Sequence, residues 1–174
     1  MRIRRTGALL LAAVGVCAGQ NVPSVKTKAL DDSEVMLPKA GSRQVLVLIL
    51  GFSHKGGEVC RVWNKKVAAD YGEDASVLYY SVPVLQDAPS LVRPMIVHGM
   101  KKGATPKELA HMAPVYADED AWKKLVGYSA SGDAYLLVSD ASGKVVWQGH
   151  GAYTDGMFAE LKKAVEGLKA KARH

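Results

Sequence analysis

Within the eight residues HKGGEVCR, the sequence sets a thiol, Cys60, beside two groups that activate thiols, His54 and Arg61. A cysteine in the first turn of a helix, next to a cation, has its thiolate stabilised by the helix dipole and by the neighbouring charge. Arg61 supplies the cation, and His54 sits in the preceding polar loop as a base. That trio would make Cys60 a nucleophile toward a peroxide or a disulfide. An external thiol would then have to resolve the intermediate. Helix geometry supports a second reading. At about 100° per residue, Val59, Trp63, Val67 and Tyr71 share one apolar arc, and Cys60 falls inside it. There a cysteine acts as a small hydrophobe. The two readings predict opposite exposures for the same thiol.

Other chemistry is thinly represented. His98, His111, His150 and His174 are scattered without ligand-pair spacing, and a metal site needs several convergent ligands. Met95, Met100 and Met112 near His98 fit packing better than copper binding. Gly149-x-Gly151 is too short for a nucleotide loop and reads as a turn. The sequence therefore points to no metal and no cofactor.

The elements that must hold Cys60 lie in the stretch 44–71. A continuous apolar run, VLVLIL at 45–50, reads as a strand buried on both faces. A polar loop at 51–57 leads into an amphipathic helix expected over 58–71. Segment 76–84, SVLYYSVPV, is the next strand. Before this unit, two semi-alternating runs flank Asp31-Asp32-Ser33 and predict a hairpin or two edge strands.

After it comes a longer connection, 85–112, read as a helical insert. Asp87 is expected to cap a helix with Pro89 in its first turn. Leu91, Val92, Met95, Ile96 and Met100 give that helix one apolar face, and Pro94 is expected to kink it. Thr105-Pro106-Lys107-Glu108 is a capping box opening a short helix. The methionine-bearing face beside Lys101-Lys102 fits either a cap on the sheet edge or a surface that binds another protein.

The remainder reads as a short strand at 114–117, then a helix capped by Asp118 with Trp122, Leu125 and Val126 inward and Gly127 as its stop. A strand at 134–139, a turn at 140–143 and a returning strand at 144–148 follow. A last helix from Thr154 has Phe158, Leu161, Val165 and Leu168 at helical spacing. The class is α/β, a mixed central sheet with helices on both faces.

The first residues change the charge balance. Arg2, Arg4 and Arg5 precede an apolar run at 8–16 and the small residues Cys17-Ala18-Gly19, the layout of a signal peptide spanning 1–19. The run is too short to span a bilayer as an ordinary helix. Val16 before Cys17 is bulkier than a lipoprotein cleavage site prefers, so Cys17 does not read as a lipid anchor. Cleavage removes three arginines and no acid, which halves the formal charge of +6 and leaves no case for nucleic acid. The expected product is one periplasmic or secreted domain, 20–174, with no transmembrane span and with Cys60 as its one cysteine. That cysteine has no partner for an internal disulfide.

This order of elements resembles the thioredoxin-like superfamily over essentially all of 20–174. The entry ALDDSEVMLPKAGSRQVLVLILGF is similar to the start of secreted thioredoxin-like reductases and of the alkyl hydroperoxide reductase/thiol-specific antioxidant group. The exit YLLVSDASGKVVWQGHG is similar to their final hairpin. Tyr135, Asp140, Gly143, Trp147, Gly149 and Gly151 follow the layout of the mitochondrial ATP synthase assembly factor family of thioredoxin-like fold. The resemblance implies a three-layer sandwich. It does not carry the dithiol over: His54 and Gly57 stand where that superfamily has Cys-x-x-Cys, and Ala134 stands near its cis-proline. Gly57 also replaces the threonine that peroxidases place three residues before their cysteine. Two functions follow as expectations. One is an exported thioredoxin-fold protein without dithiol chemistry, acting in binding or assembly. The alternative is a one-cysteine thiol peroxidase or mixed-disulfide oxidoreductase acting through Cys60.

Overall fold

The computed structural model describes residues 19–39 and 41–172; the signal-peptide reading of 1–19 falls, except for Gly19, outside the described residues. Strand β3 (Val45–Gly51) is the centre of the molecule, with all seven residues buried. It pairs in parallel with β4 (Val77–Pro83) and antiparallel with β5 (Ala134–Ser139), which pairs antiparallel with β6 (Val145–His150). The order in the sheet is β4-β3-β5-β6. A separate two-stranded hairpin, β1 (Val25–Lys28) and β2 (Glu34–Leu37), precedes it. Of the two expectations for this entry segment, hairpin and edge strands, the hairpin is the one that forms.

The apolar run of β3 serves two cores because strand side chains alternate. Leu46, Leu48 and Leu50 join Val35 and Leu37 of the hairpin, and Trp122, Leu125 and Val126 of helix α4 (Glu119–Val126). Val45, Val47 and Ile49 join Cys60, Trp63 and Val67 of α1 (His54–Tyr71), and Phe158, Leu161 and Val165 of α5 (Asp155–Ala172). Helices therefore cover both faces of a mixed sheet, as expected. The insert holds α2 (Arg93–Lys101) and α3 (Pro106–Ala110).

Five local expectations need correction. Helix α1 begins at His54, four residues earlier than its glycines suggested, because Ser53 caps it: its Oγ accepts from the Gly56 N–H at 3.0 Å. Pro94 does not kink α2 but opens it, in the first turn where a missing N–H costs nothing. Asp87 does not cap α2; it turns toward Lys123 of α4 at 3.3 Å. Asp118 has a left-handed backbone, φ 58°, and makes no side-chain cap; the Gln86 side chain instead accepts from the Glu119 N–H at 2.7 Å. The capping box of α3 forms in full, with Thr105 and Glu108 satisfying each other's N–H groups. Segment 114–117 makes a single bridge, Val84 to Val115, rather than a strand.

Candidate functional site

The junction of β3 with α1 is where an α/β sheet of this kind offers backbone N–H groups at a helix N-terminus. Here that terminus is closed by the chain itself. Ser53 accepts from Gly56 N–H with its hydroxyl oxygen and from Gly57 N–H, at 2.9 Å, with its carbonyl. The same hydroxyl donates to the Ser131 carbonyl, tying the helix start to the loop 128–133. That loop presses hard on the first turn. A Cβ added at Gly56 would stand 2.8 Å from the Asp133 carbonyl and 2.9 Å from that of Ser131.

The loop is in turn held by Tyr135, which is fully buried. Its hydroxyl accepts from the Ser129 and Ala130 N–H groups, both at 2.9 Å, and donates to the Ala130 carbonyl at 3.0 Å. One phenol thus satisfies three backbone groups of a turn that has no strand to pair with. Phe52 and Tyr128 pack edge-on with 5.1 Å between ring centroids, and Phe52 meets Tyr135 at 5.6 Å. His150 stacks on Tyr135 at 5.5 Å, and its Nδ1 lies 2.9 Å from an Asp133 carboxylate oxygen. This end of the sheet is filled by aromatic rings and carbonyls.

Cys60 lies in the core on the other face of the sheet, with Trp63 and Val67. It is 3 % exposed, and its thiol donates to the Leu50 carbonyl at 3.3 Å. Gly51 makes room for it: a Cβ at Gly51 would stand 3.1 Å from the Cys60 sulfur. Burial pushes the thiol pKa up to about 12, since the thiolate would lose its water. His54 and Arg61 are both exposed on the outer side of α1. His54 and Cys60 are six residues apart, about 240° round the helix and ~9 Å along it. Cys60's hydrogen bond goes to β3, and the structure does not bring the three residues together. Arg61 reaches the other way: with Lys65 it adds to the hydrogen bonds from Thr105 that hold the Glu108 carboxyl low. Among the described residues, no three His, Cys, Asp or Glu side chains converge as a metal would require.

Solved structures match this architecture along most of the chain. The thioredoxin domain of a thiol-disulfide oxidoreductase from Bacteroides vulgatus aligns with 87 % of this chain and 99 % of its own, at 17 % identity and a TM-score of 0.56. The pneumococcal exposed lipoprotein thioredoxin from Streptococcus pneumoniae aligns with 81 % of this chain and 99 % of its own, at 12 % identity and a TM-score of 0.58. The fold is thioredoxin-like. An uncharacterized conserved protein from Geobacillus kaustophilus shares it, with 20 % identity over 88 % of this chain and 84 % of its own and a TM-score of 0.59. No family model and no curated protein sequence matches the chain. Among the described residues Cys60 is the one cysteine, so the chain has no Cys-x-x-Cys pair there.

Sequence reasoning did not find Ser53, Gly56 or the Tyr135 hydroxyl as the parts that shape this site. Ser53 was legible in principle, as a cap residue directly before the helix. The contact of Gly56 with 131–133 joins residues more than seventy positions apart, and no local pattern announces it.

Proposed function

We propose that this chain is a thioredoxin-fold binding protein that performs no dithiol chemistry and acts in holding or assembling another protein after export. The observation that carries the reading is the sealed start of α1. The loop 128–133 stands against Gly56, Ser53 bridges the two, and the thiol lies under β3 with its pKa pushed up to about 12. A disulfide-exchange or peroxidatic cysteine needs an accessible thiolate. Export agrees with the leader-like sequence of 1–19 and with the exposed lipoprotein among the similar structures. Among the described residues no helix is long and apolar enough to cross a membrane.

The insert 85–112 is the surface we assign to the partner. Helix α2 has no buried residue; Met95 on it is 68 % exposed, and Leu91, just before it, is 92 % exposed. Isolated apolar side chains on a surface need no explanation, but a whole helix without a buried residue does. Its entry is nonetheless fixed: Glu119, itself buried, accepts from the Asp87 N–H at 3.1 Å and pairs with Lys123 at 2.8 Å.

The competing function is the thiol enzyme acting through Cys60, with His54 and Arg61 lowering its pKa. One experiment separates the two. Native protein is mixed with a thiol-labelling reagent across pH, and disulfide reduction and peroxide turnover are compared between the wild type and Cys60→Ser. The binding reading expects labelling only at the rate of unfolding and identical background activities. Rapid native labelling with Cys60-dependent turnover would overturn it.

A further inference from the structure

Strand β1 has a single partner, β2, so one of its edges is open. The Ala29 N–H donates to Ser33 O at the hairpin end, which sets the alternation along the strand. Val25 and Thr27 turn their backbone groups toward β2, and Lys26 and Lys28 turn theirs away. Among the described residues, the N–H and C=O groups of Lys26 and Lys28 have no backbone partner outside that pairing. The same edge lines a groove of about 550 Å³. Val97 and Lys101 of α2 form part of its wall, with Pro114 and Tyr116 alongside. The Thr27 hydroxyl donates to the Pro114 carbonyl at 2.5 Å and fixes the spacing, and Arg93 lies over the Tyr116 ring at 5.7 Å.

We propose that this groove takes an extended, acidic segment of a partner protein, which adds to β1 as a third strand beneath α2. The inference rests on the binding reading above and names the chemistry of the partner. An open strand edge facing a helix offers main-chain hydrogen bonds for affinity and side-chain niches for selection. Three lysines, Lys26, Lys28 and Lys101, line the groove against two carboxylates, Asp32 and Glu34, and this excess favours an acidic segment. Lys28 has no carboxylate partner among the described residues. Lys26 and Lys101 are held only by exposed Glu34 and Asp32, at 3.2 and 3.9 Å. Such pairs contribute little and exchange readily for a partner's carboxylates. From 88 to 107 the chain contains no acid and carries Arg93, Lys101, Lys102 and Lys107. Between the lysines, Val97, Pro114, Tyr116 and Leu30 present apolar surface. A segment alternating acidic and aliphatic side chains matches both.

The other open edge fits this role less well. The start of β6 is already covered, since Val145 N–H donates to Gln20 O and Val22 N–H to Gly143 O. The groove beside it, with Glu160, Lys163 and Lys171, carries the same excess of one positive charge as the β1 groove, so the covered strand edge and not charge separates the two.

The test is an NMR titration of the ¹⁵N-labelled protein with an acetylated, amidated hexapeptide of alternating Glu and Val. The control peptide has Lys in place of Glu. The acidic peptide is expected to shift amides along 25–30 and 97–101 and to slow hydrogen exchange at Lys26 and Lys28. The double substitution Lys28→Glu with Lys101→Glu lies at the surface and should weaken binding by roughly tenfold or more. No shift at millimolar acidic peptide, or equal binding of the control, overturns the proposal. So does a response of the same amides to phosphatidylglycerol vesicles but not to the peptide, which would make the basic face a lipid contact. Peptide contacts confined to Leu91 and Met95 would overturn the groove yet leave the insert as a binding surface. Cys60-dependent turnover would instead remove the binding reading itself.

Discussion

Helices α1 and α2 begin with similar means, a polar loop followed by an amphipathic run, and end in opposite relations to the fold. Helix α1 buries Gly56, Cys60, Trp63, Asn64, Val67 and Tyr71; α2 buries nothing. The start of α1, where this fold can offer a reactive group to solvent, is roofed by carbonyls and rings. The groove beside α2 has open backbone groups and lysines. The difference teaches that one fold can pack the start of one helix shut while leaving another helix and a strand edge open. Fold and function are separable in this way because function depends on particular sites.

The contrast can be broken most forcibly at Trp63, which has no exposure and donates to the Gly151 carbonyl at 3.0 Å. Trp63→Ala should cost about 3–5 kcal/mol in urea unfolding. Leu91→Ala, on the exposed side of the insert, should change stability by less than about 0.5 kcal/mol. Near-equal losses would mean that the start of the insert is packed after all.

A paired substitution in the roof sharpens the comparison further. Gly56→Ala drives a methyl group into the Ser131 and Asp133 carbonyls and should destabilise by about 1–3 kcal/mol despite alanine's better helix propensity. Gly57→Ala meets open space and should stabilise by about 0.5–1 kcal/mol. A stabilising Gly56→Ala would show that 131–133 moves freely and that the corner can open.

Alkaline titration reads the buried thiol directly. The folded pKa of Cys60 is raised to about 12, against about 8.5 for a free cysteine. Above the free value the unfolded chain releases its proton while the native thiol keeps it. Stability should therefore fall between about pH 8.5 and 12, by up to about 1.4 kcal/mol per pH unit from this group. Tyr71, also raised to about 12 by burial and by nearby carboxylates, adds to the fall above about pH 10. Cys60→Ser should flatten the curve below pH 10; an unchanged slope would place the thiol in water.

The smallest effect concerns the ties between α5 and the loop after α1. Lys169 donates to Asp74 at 2.8 Å, and Ser76 adds two further bonds, which together hold the Asp74 carboxyl at about 2. A lowered folded pKa gives stability that is present above the unfolded value of about 3.9 and is lost as pH falls toward 2. Asp74→Asn should cost about 1 kcal/mol at pH 7 and nothing at pH 2, measured by urea midpoints.

Local pattern carried most of the frame. The apolar runs of β3 and β5, the Asp140–Gly143 turn and the spacing of Phe158, Leu161 and Val165 each register an environment that a side chain must meet within a few residues. The helical wheel also set Cys60 on the buried arc, where it lies. Helix starts were harder. Ser53 caps α1 locally and Pro94 opens α2, but α4 is capped by Gln86 from the preceding connection and not by Asp118.

By itself, then, the sequence determined a mixed α/β sheet, a single cysteine after the leader-like segment, and the absence of Cys-x-x-Cys, because these are matters of composition and short-range periodicity. Tertiary structure alone decided that Tyr135 folds 128–133 down over Gly56, that α2 stands without a buried side chain, and that the edge of β1 faces a lysine-lined groove. Each of these depends on which distant backbone groups meet, and chain periodicity holds no information about such meetings.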